Sequence, residues 1–346
     1  MVEKFIHKSA QKISIFSGIA SYARGPLFLF PILLFALEAP SSPSIPNETL
    51  LTYTPWLTGP FLAPTSNNME PKHPAIQPSL TVFNTYGSYN SNWGITKQES
   101  VWAINPLIDF QFGITKNFGI EALVSFISNF TKGKSANYFQ DTIVFFGYQV
   151  SNDIKGSWIP DCRLLLQETF PTGKYQKLDP SKEGIDSTGF GSFQTGPVVA
   201  FRKLFYLPES FFSLEWSLTY LFPSSVDVKG FNSYGGGYGT DGKVLPGQTL
   251  VAFLSGEYSI NQRWALAFDS ELLYQSKSQF TGQAGVTSSG TIANTELPNS
   301  LQISFAPEFE YNFNINSGLL AGVWFTVVGK NSEAFASAFL SYLYIF

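Results

Sequence analysis

Carboxylate side chains recur at alternate positions of segments whose other alternate positions are apolar. In SLQISFAPEFEYNF, residues 300–313, Glu308 and Glu310 fall on one face of an extended chain and Phe309 on the other. The residues that such patterns place on a polar, inward-facing wall are Asp109, Glu121, Arg202, Glu215, Glu257, Asp269, Glu271, Glu308 and Glu310. This wall would favour cations or bind a polar group of a ligand, or it would form an internal network of ion pairs and hydrogen bonds.

Hydrolytic chemistry on such a wall would need a nucleophile and a base, and the base is usually histidine. The chain contains only His7 and His73, and neither falls in an alternating segment. The single cysteine, Cys162, excludes an intrachain disulfide and a metal site built from several thiolates. We therefore expect no enzyme activity, no cofactor and no metal site.

The alternating segments are predicted to be strands, because a period of two residues places successive side chains on opposite faces. Twelve such segments lie near residues 78–88, 101–113, 119–130, 142–151, 162–172, 191–203, 211–222, 248–259, 263–275, 300–313, 318–329 and 334–346. Most of them have about 10–13 residues. A tilted strand needs about 9–11 residues to cross a bilayer, so the lengths favour membrane-spanning strands.

Connections of two kinds alternate between these segments. Residues 114–117 and 260–262 are short turns, whereas 230–247 and 276–298 are long and polar. Short turns on one side and long loops on the other are typical of bacterial outer-membrane barrels, and backbone groups in hydrocarbon are all paired only when the sheet closes. The sequence therefore predicts an all-β fold over residues 78–346: an antiparallel transmembrane β-barrel of about 12 strands with periplasmic N- and C-termini.

The composition is typical of a protein with an apolar outside and a polar inside. Charged residues make up 13% and aromatic residues 16%, yet the mean hydropathy is only +0.04. The net charge is −4 and no Lys/Arg cluster occurs, which argues against a nucleic-acid binder. We expect a monomer whose partners are outer-membrane lipid, the barrel assembly machinery and an unidentified small-molecule solute.

Two segments precede the first predicted strand. Residues 1–39 combine basic residues with the apolar run PLFLFPILLFALEA, and we interpret them as a signal peptide for export to the bacterial outer membrane. Residues 40–77 are rich in Pro, Asn and Ser, and the prolines preclude a long helix. We expect this part to be an irregular segment that lies in the periplasm or plugs the lumen.

Part of the sequence resembles a known family. LQETFPTGKYQKLDPSKEGIDSTGFGSFQTGPVVAF, residues 166–201, is similar to the Pro-x-Gly-x-Tyr motif, long loop and Gly-Pro strand of the MetA-pathway of phenol degradation family of outer-membrane barrel transporters. Residues 56–80 resemble the proline-rich segment before the first strand in related proteins. The resemblance implies a channel for passive passage of small, hydrophobic or aromatic molecules. The alternative is a non-transporting surface protein whose long loops bind partners.

The sequence ends in SAFLSYLYIF, in which Tyr342, Tyr344 and Phe346 share one face. A terminal Phe after alternating aromatic residues resembles the signal that outer-membrane barrels present to their assembly machinery. The opposite face, with Phe339 and Leu343 beside Ser341, is less polar than a water-filled lumen requires, and it indicates a dry patch or a plug near this strand.

We predict that deleting Phe346 impairs assembly of the barrel, because the assembly machinery loses its terminal aromatic contact. The measurement is the amount of heat-modifiable barrel in outer-membrane fractions, with Ile345→Val as a control that preserves the ending. A deletion variant that accumulates as a normal barrel would contradict the assignment.

Overall fold

The computed structural model describes residues 56–346, which form sixteen β-strands and a 3₁₀ turn at Pro180–Lys182. The strands are β1 Ala75–Tyr89, β2 Ile95–Gly113, β3 Phe118–Thr131, β4 Lys134–Phe139, β5 Thr142–Ser151, β6 Asp161–Phe170, β7 Gln194–Tyr206, β8 Phe211–Pro223, β9 Val226–Lys229, β10 Asp241–Leu245, β11 Thr249–Ser259, β12 Trp264–Gln275, β13 Gln279–Gln283, β14 Ser300–Asn314, β15 Ser317–Lys330 and β16 Glu333–Ile345. No helix between residues 56 and 346 is long and apolar enough to span a membrane. The predicted signal peptide and residues 40–55 lie outside the described residues.

Thirteen of the strands form one closed antiparallel sheet. Successive wall strands pair with each other around the sheet, and β16 pairs with β1 to close it. One part of β3 pairs with β4 and the other part with β5, so β4 and β5 occupy a single position in the wall. The prediction of a twelve-stranded antiparallel barrel is confirmed.

Polar side chains face the interior of the barrel and apolar side chains face outward. On β14, Glu308 and Glu310 are buried, whereas Phe309 between them is 64% exposed. On β8, Glu215 is buried and Trp216 beside it is 44% exposed. An apolar outer band around a polar interior is the arrangement expected when lipid, rather than water, surrounds the wall.

Side chains within the short turns accept hydrogen bonds from backbone N–H groups of the same turn. Thr115 Oγ1 accepts from the Phe118 N–H at 3.0 Å, and Asn261 Oδ1 accepts from the Trp264 N–H at 3.0 Å. Ser/Thr and Asx turns of this kind occur among the two-to-nine-residue connections at one end of the barrel. We call this end the short-turn end, and its connections are residues 114–117, 152–160, 207–210, 260–263 and 315–316. The opposite end is the long-loop end.

The barrel seam closes at the short-turn end. Ala75 at the start of β1 lies opposite Ile345 at the end of β16. The Phe346 N–H donates to the Pro74 carbonyl at 2.9 Å, and His73 Nδ1 lies 2.8 Å from the Phe346 carbonyl oxygen. Both ends of the wall therefore lie at the same end of the barrel, as an even number of strands requires.

The long loops fold into a compact cap at the long-loop end. Strands β9, β10 and β13 form a separate three-stranded sheet, and Val228 of β9 and the neighbouring loop residue Tyr234 are fully buried. Burial raises the pKa of Tyr234 well above its usual range, so its hydroxyl stays protonated and donates to the Phe190 carbonyl at 2.8 Å. Asn129 on β3 donates to the Ile185 carbonyl at 2.7 Å, which ties the cap to the inner wall.

The wall strands match the twelve predicted segments, with ends that differ by a few residues. The sequence pattern does not predict β4 or the cap strands β9, β10 and β13. It is also ambiguous at Leu164, Leu165 and Leu166, where β6 turns Leu165 inward and leaves the other two leucines exposed. Leu165 packs with Ile143 and Val198 in an apolar patch of the inner wall, so three successive leucines are compatible with strict alternation.

Candidate functional site

The nine predicted wall residues all face the interior of the barrel. Asp109 lies on β2, Glu121 on β3, Arg202 on β7, Glu215 on β8, Glu257 on β11, Asp269 and Glu271 on β12, and Glu308 and Glu310 on β14. The eight carboxylates are buried, and Arg202 is partly buried. Burying this many acids is costly unless each finds a cation or a hydrogen-bond donor.

Residues 56–68, which we call the lumen segment, supply many of these donors. Three backbone N–H groups donate to inward carboxylates: Thr58 to Glu310 at 2.5 Å, Gly59 to Glu257 at 3.3 Å, and Leu62 to Asp269 at 2.7 Å. Asn312 Nδ2 donates to the Trp56 carbonyl at 2.6 Å. This half of the segment is thereby held against β11, β12 and β14.

The other half of the lumen segment is held by strands β3, β5, β6 and β8. Its contacts are from Thr65 Oγ1 to Glu121 at 3.1 Å, from Ser66 Oγ to Glu215 at 3.1 Å, and from the Asn68 N–H to Gln149 at 2.8 Å. Arg163 donates to Thr65 Oγ1 at 2.7 Å and lies 3.5 Å from Glu121. The segment therefore crosses the barrel and is anchored on both sides.

Apolar contacts also hold the lumen segment against the wall. The Phe61 ring stacks on Phe339 of β16, with centroids 4.0 Å apart and an interplanar angle of 9°. Leu62 is 8% exposed and packs in a cluster with Phe253 and Trp324. Phe339 is the inward aromatic residue that the sequence marked as out of place in a polar lumen, and the segment is its packing partner.

Two wall glycines leave the space that the segment occupies. A Cβ at Gly318 would lie 2.3 Å from Thr58 Oγ1, and a Cβ at Gly113 would lie 2.0 Å from the carbonyl oxygen of Met69, the residue that directly follows the segment. Distances this short exclude any side chain at either position unless the segment moves. The wall and the segment are thus complementary in shape as well as in charge.

The remaining predicted residues have other partners or neighbours. Asp109 accepts from Gln111 at 2.6 Å, and Glu271 accepts from Ser304 at 2.8 Å. Arg202 pairs with Asp161 at 3.1 Å. Glu308 neighbours Asp269 and the backbone of Phe61. Five of the nine residues therefore contact the lumen segment through hydrogen bonds, and the others form the adjoining polar network.

Sequence reasoning missed four polar residues of this network. Asp161 and Gln149 lie at strand ends, where few neighbouring positions establish the alternation, and Asn312 is an ordinary polar residue on the predicted inner face. Arg163 directly precedes Leu164, Leu165 and Leu166, where the alternation does not establish which face points inward. Asp161, Arg163 and Leu165 occupy alternate positions of β6, and this alternation is the pattern that could have identified the inner face of the strand.

A cavity of about 140 Å³ lies inside the barrel beside the lumen segment. Its lining combines apolar residues such as Phe83, Phe253 and Trp324 with acidic residues such as Asp109 and Glu271. Phe61 and Leu62 of the segment form part of its boundary. The interior thus offers a small chamber lined by both apolar and polar side chains rather than a wide aqueous pore.

Comparisons with known proteins support the fold. No family model matches the chain, and no curated protein matches it. The crystal structure of the COG4313 outer membrane channel from Pseudomonas putida F1 is similar to it, with 13% identity, coverage of 83% of this chain and 100% of that chain, and a TM-score of 0.60.

Two further solved barrels match less well. The transport unit of the autotransporter AIDA-I from Escherichia coli covers 80% of this chain and 91% of its own, at 10% identity and a TM-score of 0.40. The Pseudomonas putida toluene transporter TodX covers 79% and 90%, at 13% identity and a TM-score of 0.36. The closed sheet, its apolar outer band and the likeness to the COG4313 outer membrane channel identify the fold as an outer-membrane β-barrel.

We predict that Asp269→Ala loosens the lumen segment, because the Leu62 N–H loses its carboxylate acceptor. A hydrogen bond to a charged group contributes about 1.5–3 kcal/mol, so the Leu62 amide should exchange with deuterium about tenfold to a hundredfold faster. Glu271→Ala is the matched control, because Glu271 lies two residues along the same strand and accepts from Ser304. Unchanged exchange at Leu62, or equal acceleration in both variants, would contradict the anchoring role.

Proposed function

We propose that this chain is a monomeric outer-membrane channel for passive passage of small, hydrophobic or aromatic molecules, and that the lumen segment controls the opening of the path. The observation that carries the proposal is that a removable segment, rather than the wall, fills the lumen beside the cavity. None of residues 56–68 belongs to a strand. The segment can therefore leave without breaking the ladder that closes the barrel.

The energetics of the lumen segment suit a displaceable plug. It is held by about a dozen hydrogen bonds that involve a side chain and by one aromatic stack, whereas each wall strand pairs through its backbone along most of its length. Local opening is drawn from parts of a structure that have few backbone ladder bonds. The lumen segment can thus move without breaking the backbone ladders of the wall.

The inward acids suit a cation preference once the plug has moved. Their partners in the present state include N–H groups of the lumen segment, which would depart with it. The exposed carboxylates would then raise the local concentration of cations and disfavour anions. The charge of the lumen is in this way linked to the position of the plug.

The comparisons support the proposal through the fold. The first structure named above is described as an outer membrane channel, and it is covered over its whole length. The sequence resemblance to the MetA-pathway of phenol degradation family agrees with a channel and supplies the expectation of small hydrophobic or aromatic solutes. The signal peptide, the periplasmic position of both termini and recognition by the barrel assembly machinery belong to the same proposal.

A second candidate function is a non-transporting surface protein. The observation that favours it is the ordered cap, whose three-stranded sheet has its own buried cluster around Tyr234. A folded outer surface of this kind could bind a partner. The channel proposal and this alternative differ in whether solute crosses the barrel.

Planar-bilayer conductance of the purified protein tests the channel. We predict small or intermittent currents for the unaltered chain and larger, steadier currents after deletion of residues 56–68, because the deletion removes the plug. Heat-modifiability of the deletion variant checks that its barrel is intact. Absence of conductance and of solute uptake into liposomes, with or without residues 56–68, would refute the channel and favour the surface protein.

In the same deletion background, Glu257→Gln, Glu308→Gln and Asp269→Asn combined should move the reversal potential in a salt gradient toward zero. Glu296→Gln is the control, since Glu296 pairs with Lys277 on a long loop. An unchanged reversal potential in the triple variant would show that these acids are structural only.

A further inference from the structure

We infer that the lumen cavity is a binding site for a molecule about the size of one aromatic ring whose apolar body carries a single hydrogen-bond donor, a hydroxyl or an ammonium group. The inference deepens the proposed function by naming the solute class, and it rests on that proposal only in taking the solute to enter the lumen. The inference rests on the size of the cavity, the chemistry of its walls and two buried polar atoms that have no hydrogen-bond partner among the described residues.

The volume sets the size of the occupant. The cavity measures about 140 Å³. An engineered apolar cavity of about 150 Å³ in another protein takes up benzene, so this volume holds one six-membered ring with little to spare.

The walls set the chemistry of the body. On one side Phe83 stands edge-on to Trp324, with centroids 5.6 Å apart, and Phe253 packs in the same cluster. On the other side Ile143 and Phe145 form a separate apolar patch that also lines the cavity. An aromatic or compact aliphatic body between these two patches loses its contact with water on both faces.

The polar end of the cavity is formed by residues of the neighbouring strands β1 and β2. Asp109 and Ser79 both line the cavity and are both more than nine-tenths buried. Asp109 Oδ1 and Ser79 Oγ have no hydrogen-bond partner among the described residues, although the other Asp109 oxygen accepts from Gln111 at 2.6 Å. Buried polar atoms normally have a partner, so this end of the cavity calls for a donor.

The other polar groups nearby are already satisfied. Gln77 donates to Ser341 at 2.9 Å, and Glu271 accepts from Ser304 at 2.8 Å. Glu121 accepts from Thr65 and faces Arg163. A ligand hydroxyl or ammonium would fill the remaining position on Asp109, whereas a ligand carboxylate would face Asp109, Glu121 and Glu271 together.

Four one-ring compounds test the inference by calorimetric titration into the full-length barrel in detergent micelles, with protein-free micelles as the blank. We expect benzyl alcohol and benzylamine to bind at one site per barrel, toluene to bind about tenfold more weakly, and benzoate not to bind. Toluene binding as tightly as benzyl alcohol, or no saturable binding by any of the four, would overturn the inference.

Variants locate the site. Asp109→Asn combined with Ser79→Ala should weaken benzylamine about tenfold and leave toluene unchanged, because only the polar end is altered. Val251→Phe fills the cavity and should abolish binding of every compound, whereas Leu254→Phe, on the outward face of the same strand, should not. Equal affinities in Val251→Phe and Leu254→Phe would place the binding elsewhere and refute the assignment.

The experiments can refute the binding site and the channel independently of each other. A barrel that conducts but shows none of this selectivity refutes the binding site and leaves the channel standing. A barrel that binds with this selectivity but passes no solute refutes the channel and leaves the binding site standing. Heat-modifiability of each variant distinguishes loss of the site from loss of the fold.

Discussion

Buried carboxylates inside the barrel need donors, and the lumen segment supplies several of them. Glu257, Asp269 and Glu310 each accept a backbone N–H from residues 58–62. An acid removed from water without such a partner would destabilise the wall strand that carries it. The interior charge and the segment therefore depend on each other, and most other features of the lumen follow from their contact.

The wall and the segment are stabilised by different interactions. The wall uses backbone ladders that close on themselves at the pairing of β1 with β16, which is the only way to satisfy a sheet in hydrocarbon. The segment uses side chains of the inner face, wall glycines and the stack of Phe61 on Phe339. Because these two sets of interactions share few groups, the interior can rearrange while the barrel stays closed. This separation is what makes a plugged barrel compatible with a channel.

The wall could be predicted from the sequence because its physics is local. Glu308, Phe309 and Glu310 alternate in a way that only an extended chain between lipid and a polar interior explains, and the inner face follows from that alternation. The plug could not be placed, because its partners are far away in sequence: Thr58 and Glu310 are 252 positions apart. The irregular, Pro-rich segment has no period that would indicate its contacts.

The cap was missed for a different reason. Strand β9 has four residues and β10 has five, within loops rich in Gly and polar residues, and such short pieces pair only because the cap folds around them. At the polar end of the cavity, Asp109 was identified as an inward acid, but its unsatisfied oxygen and its neighbour Ser79 depend on the register of β1 against β2. The face on which a side chain lies can be predicted from the sequence. Whether a particular oxygen atom has a hydrogen-bond partner can be seen only in the folded barrel.

The most direct test of the account is the thiol reactivity of Leu62→Cys in a Cys162→Ser background, measured in the intact barrel with a water-soluble maleimide. Leu62 of the lumen segment is 8% exposed and packs against the wall. The new cysteine should therefore react far more slowly than a reference cysteine at the exposed loop position Ser289, and replacing Asp269 by Ala should accelerate its reaction. Reaction as fast as that of the loop cysteine in the unaltered barrel would show that residues 56–68 do not occupy the lumen, and would contradict the account.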